Sequence, residues 1–81
     1  MPESYAFRKV RTWFERYHVS FRQGRKATHW KLRRVLREGT TCVYVIVRKK
    51  GMVDGIYVKK ARRALKLTAK DGVPDREFFG Q

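Results

Sequence analysis

Cysteine is almost absent from this chain. A single one, Cys42, excludes an internal disulfide, and its place in an apolar run predicts a buried, reduced thiol. Two histidines, His18 and His29, with that one cysteine give no metal-ligand spacing, so no metal and no small-molecule cofactor are expected. No apolar run approaches the roughly 20 residues of a membrane-spanning helix, and the first residues lack the apolar centre of a signal peptide. A cytoplasmic protein with no membrane contact is the expectation. Internal repeats, linkers and low-complexity tracts are absent as well. Acidic residues are scarce: seven Asp and Glu face 21 Lys and Arg, for a net charge of +14. That imbalance implies a polyanionic partner, nucleic acid first among them.

What is present suffices for one small domain spanning residues 1–81. Apolar residues make up 42% of the chain and include Trp13, Trp30, five Phe and four Tyr, which is not a disordered composition. A domain of this length buries only about 60–65% of its unfolded surface, so its core must be compact.

Ser4 to Tyr17 reads as a first helix, with Ala6, Val10, Trp13, Phe14 and Tyr17 on one apolar stripe. Pro2 and Glu3 suit its start and Ser4 its cap. His18 to Gln23 changes to period two, with His18 placed to meet the carbonyls of the helix end. Thr28–Leu36 and Thr41–Arg48 read as the second and third strands, joined by a turn with Gly39 in the left-handed region. The third strand is apolar on both faces, Val43/Val45/Val47 and Cys42/Tyr44/Ile46. Helices on one side of a sheet cover only one of those faces, which leaves the other for a partner. Lys49–Gly55 carries breaker residues and reads as a loop. A second helix over Tyr57–Leu67 presents Lys59, Lys60, Arg62, Arg63 and Lys66 without an acid among them, and a short helical turn closes the chain near Phe78. The expected fold is an α+β two-layer sandwich in α-β-β-β-α order, with a three-stranded antiparallel sheet. Double-stranded-RNA-binding domains share that order.

The chain is organised around Gly24-Arg25-Lys26-Ala27-Thr28-His29-Trp30. A glycine connection is followed by phosphate-seeking cations, a hydroxyl and a histidine, the side chain suited to moving a proton near neutral pH. Strand alternation puts His29, Lys31 and Arg33 on one face and Trp30 and Leu32 on the other. Since the apolar face seeks the core, His29 is expected on the open, cationic face. There it is either a proton-transfer group or a polar strand residue without chemical duty.

These pieces resemble the HicA-type toxins, small messenger-RNA-cleaving proteins of bacterial and archaeal toxin–antitoxin modules. The likeness lies in Phe21-Arg22-Gln23-Gly24, Ala27-Thr28-His29-Trp30 and Asp71-Gly72-Val73-Pro74-Asp75-Arg76-Glu77-Phe78, in order over nearly the whole chain. Ala27 stands where the family has glycine and Thr28 where it has serine, and the family's segment of valine and proline around a histidine has no close counterpart. The resemblance implies a type II toxin, a metal-independent endoribonuclease acting on mRNA. His29 would be its base, and an acidic antitoxin of the HicB type would cover the site. For RNA contact the cationic pattern nominates Arg22, Arg25, Lys26, Thr28, Lys31, Arg33, Lys59, Lys60 and Arg63. The alternative is a non-catalytic RNA-binding module of the same fold, and a third reading is a basic subunit that docks a protein on its apolar sheet face.

Overall fold

The computed structural model describes residues 4–80. Their elements run β1 (Ser4–Ala6), α1 (Phe7–Glu15), β2 (Ser20–Gln23), β3 (His29–Val35), β4 (Thr41–Lys49), β5 (Met52–Asp54), α2 (Gly55–Ala64), a 3₁₀ turn (Ala69–Asp71) and α3 (Asp75–Phe79). One five-stranded antiparallel sheet has the order β1-β5-β4-β3-β2. This α+β domain contains the three expected strands as neighbours, and the expected three-stranded sheet is corrected to five.

Both added strands are only three residues long, too short to show alternation. Ser4 does not cap a helix: it pairs with Asp54, as Tyr5 does with Val53 and Ala6 with Met52. No side chain caps α1, and Pro2 and Glu3 lie outside the described residues. The segment read as a loop over Lys49–Gly55 instead folds back tightly. Lys50 and Gly51 take φ of 53° and 74°, and Lys49 pairs with Met52 across them. Two successive left-handed residues make the hairpin turn whose twist suits flanking strands.

The helices end by a shared device. After α1, the Val19 N–H donates to Phe14 O and the His18 N–H to Glu15 O, with His18 at φ 63°. After α2, the Leu67 N–H donates to Arg62 O and the Lys66 N–H to Arg63 O, with Lys66 at φ 59°. Both are left-handed C-terminal caps built on a non-glycine residue. His18 therefore serves through its backbone, and the strand expected from His18 begins at Ser20. The second helix starts earlier than the sequence suggests, because the Asp54 carboxylate accepts the Ile56 N–H at 2.9 Å.

The helices pack on one face of the sheet. Val10 and Phe14 of α1, Leu32, Ile46 and Val53 of the sheet, Val58 and Ala61 of α2, and Leu65, Leu67 and Phe78 form the core. Trp13 is half-buried against Phe78 and Phe79, and Cys42 is half-buried and free. Arg62 is the exception inside this apolar layer, only 7% exposed. Its guanidinium donates to Leu67 O, Val73 O and Asp75 Oδ1 at 2.9, 2.8 and 2.7 Å, and lies 4.5 Å from the Phe78 ring centre. Arg16 adds hydrogen bonds to Phe78 O and Glu77 O. The Tyr17 hydroxyl donates to Glu77 Oε2 at 3.2 Å, and burial followed by that carboxylate pushes the phenol above its usual pKa. The Thr68 hydroxyl and N–H hold the Asp71 carboxyl below its ordinary value.

Arg62→Ala strands two carbonyls and opens a gap against Phe78, so it should lower stability by roughly 2–4 kcal/mol. Arg62→Lys should rescue less than half of that, because an ammonium cannot bond three acceptors laid out for a planar fork. Urea unfolding of the two variants and the parent checks both expectations.

Candidate nucleic-acid interface

Because the helices take one face, the other is bare, and the strand registers fix what stands on it. On β3, His29, Lys31 and Arg33 alternate with the core-facing Trp30 and Leu32. Lys31 lies between Arg22 of β2 and Val45 of β4, Arg33 between Ser20 and Val43, and His29 opposite Val47. The open face is thus a cationic band over β2 and β3 beside a band of valines on β4. Val43 and Val45 are 43% and 48% exposed. Cross-strand neighbours sit about 5 Å apart at Cβ, so directly opposed Arg22 and Lys31 repel each other.

No acid answers them. Glu15 pairs with Arg11, Asp75 with Arg62, Asp54 caps α2, Asp71 binds Thr68, Glu77 accepts from Tyr17 and Glu38 from Thr40. Every acid among the described residues has an internal partner, and only two of these six partners are cations.

The loop from Arg25 to Thr28 is a four-residue connection closed by backbone pairs. The Gly24 N–H donates to His29 O at 2.7 Å, the His29 N–H to Lys26 O at 3.0 Å, and Gln23 Nε2 to Ala27 O at 3.1 Å. Gly24 does not take a left-handed φ; the demand on it is space. A Cβ there would come within 3.3 Å of His29 O and 3.5 Å of His29 Cβ. Arg25, Lys26 and Thr28 are exposed and His29 is half-buried at the base of the loop. Thr28 O is held by the Arg48 N–H at 2.6 Å, which ties the loop to β4.

The nominated residues divide into two groups. Arg22, Lys31, Arg33 and His29 share the open face, and Arg25, Lys26 and Thr28 sit on the loop at its end. Lys59, Lys60 and Arg63 belong to α2 and are exposed on the opposite side of the sheet. Lys59 and Arg63 border a groove of about 900 Å³ with Tyr5, Thr68, Asp75 and Phe79, away from His29. His18 is also distant, since the four residues of β2, about 13 Å of extended chain, separate it from the loop. Arg11 and Arg48 escaped the sequence reading. Arg11 lies 5.5 Å over the Phe21 ring and Arg48 5.0 Å over Phe7, contacts that no local pattern announces. Among the described residues no three His, Cys, Asp or Glu side chains gather as a metal site, and no helix is long and apolar enough to cross a membrane.

No family model matches the sequence, and no match was found among curated proteins or solved structures.

If a single-stranded RNA lies on the open face and loop, it should release counterions from four to six phosphates, giving a log–log salt slope of roughly −3 to −4. Replacing Arg22, Lys31 and Arg33 by Gln should flatten that slope by about 2. The same change at Lys59, Lys60 and Arg63 should leave it within error of the parent. Fluorescence anisotropy against salt measures all three proteins, and an equal loss from both triples would mean that the strand wraps both sides.

Proposed function

We propose that this chain is an endoribonuclease of the HicA-like toxin kind, acting on mRNA without a metal and using His29 as its base. The observation that carries the reading is that His29 shares one uncovered sheet face with Lys31, Arg33 and Arg22, where no acid among the described residues competes for those cations. A polyanion relieves the repulsion of that band, and the histidine stands where its backbone would lie. The double-stranded-RNA-binding-domain-like character of the fold belongs to the same proposal. So does an acidic antitoxin of the HicB type, whose charge and apolar centre would suit the cationic and valine bands.

RNA brings its own nucleophile. A neutral His29 nitrogen takes the proton of the 2′-hydroxyl, and the 2′-oxygen attacks the adjacent phosphorus. The bond from phosphorus to the 5′-oxygen breaks, and that oxygen leaves with a proton from the imidazolium or from water. The products are a 2′,3′-cyclic phosphate and a 5′-hydroxyl. Lys26, Arg25 and Lys31 are the cations to oppose charge on the phosphorane, and Thr28 can orient the phosphate. His18, on the far end of β2, takes no part. A single positioned base contributes about 10²–10⁴-fold, so a slow enzyme is expected. The separation of the two histidines also favours a second reading, a module that binds RNA without cutting it.

His29→Ala should abolish cleavage while changing stability by no more than about 1 kcal/mol and RNA affinity by less than about threefold, because many other cations hold the strand. End-labelled RNA incubated in EDTA with parent and variant, with end groups resolved, tests this. Equal cutting by both removes His29 as the base, and cutting by neither leaves the binding module.

A further inference from the structure

The sheet has an unexplained edge at β4. The Arg48 N–H donates to Thr28 O and the Leu36 N–H to Thr40 O, which fixes the phase of the β3–β4 ladder. Even-numbered residues of β4 turn their backbone groups toward β3. Thr41, Val43 and Val45 therefore turn theirs the other way. On that side β5 reaches only Arg48 and Lys49, because Met52 and Val53 pair there and the chain then leaves into α2. Among the described residues no strand pairs with Thr41–Val47 along this edge, and no side chain bonds its backbone groups. Edge strands are ordinarily guarded by lysine, proline or a bulge. This one carries no charge from Thr41 to Val47, in a chain where 35% of residues are charged.

We propose that the free edge of β4 is a strand-addition site for an extended segment of a partner protein, apolar in its middle and acidic at its ends. Added antiparallel, such a segment would exchange main-chain hydrogen bonds with Thr41, Val43 and Val45. Arg37 and Glu38 precede the strand and Lys49 and Lys50 follow it, so the charge around the site is net positive and weighted to its Lys49 end, which favours an acidic occupant. A second copy of the chain fits poorly. Antiparallel pairing about Val43 would bring the Arg37 end of one copy against Lys49 of the other, and two chains of +14 repel. The inference deepens the acidic-partner part of the proposed function. It is independent of the ribonuclease part, since its test contains no RNA and can fail while cleavage stands.

The probe is a capped nonapeptide, Asp-Glu-Val-Thr-Val-Thr-Val-Glu-Asp, titrated into the full chain and followed by amide hydrogen exchange. In the free protein, amides of Val43 and Val45 should exchange fast and those of Tyr44 and Ile46 slowly. Peptide should slow Val43 and Val45 selectively, and a version with four lysines at its ends should bind at least tenfold more weakly. Val43→Pro removes only an outward N–H, a position where proline is tolerated in edge strands, and should weaken binding about tenfold or more. If that variant unfolds, the exchange pattern of the unaltered protein still decides. No binding at about 1 mM peptide overturns the proposal, as does protection away from the edge or equal binding of the lysine version. Protection of Val43 and Val45 that grows with protein concentration alone overturns it in favour of self-association.

Discussion

The guanidinium of Arg62 is what the last third of the chain is hung on. Leu67 O and Val73 O belong to the connection after α2, where there is no regular ladder to satisfy them. An apolar side chain in that place would leave both carbonyls without the partners they have here. The third donor reaches Asp75 at the start of α3, and the flat face of the group lies on Phe78. One side chain thus binds a connection, a helix and an aromatic ring at once. The cost of burying its charge is offset by three hydrogen bonds and the Phe78 ring rather than by the ion pair alone, since Asp75 itself is well exposed.

The same interaction takes one acid out of a small stock. Capping α2, closing the 3₁₀ turn and anchoring Tyr17 take others, and the described acids end up serving folding duties. Arg22, Lys31, Arg33 and the loop cations are left facing solvent on a sheet surface that the helices do not cover, whereas Arg34 of β3 turns to the helix side and donates to Leu65 O and Lys66 O. Architecture and composition therefore act together. A one-sided helical layer leaves the face open, and the scarcity of acids leaves it charged. Both features favour a polyanion there, and the valine band beside it favours a partner with some apolar surface.

The long elements were legible because their periods are long enough to register. β3 and β4 run for seven and nine residues; β4 is legible as a β-branched, apolar run, and in β3 the alternation of Trp30 and Leu32 with Lys31 and Arg33 fixes which face His29 takes. The start of the chain misled because Ala6 falls in phase with Val10 and Trp13, although Phe7 is the first helical residue and its N–H bonds Gly51 across the sheet. β5 was hidden because three residues between Gly51 and Gly55 carry no pattern. Charge could not be assigned to a side either. Lys59, Lys60 and Arg63 look like Lys31 and Arg33 in a sequence, and only the packing of α2 separates them. The roles of Arg62 and Arg48 depend on partners distant in sequence, Asp75 and Thr28 among them, which local spacing does not reveal.

Gly24 contributes no functional group, yet it controls where the histidine stands. With His29 O 3.3 Å from the point a Cβ would occupy, the neck of the loop is narrow enough to crowd a side chain. Any side chain at position 24 would move the His29 backbone by a few tenths of an ångström, carrying the imidazole with it. The aim of the site is thus held at a position bearing only a hydrogen atom. A substitution at residue 24 would shift the imidazole with every nominated side chain still in place.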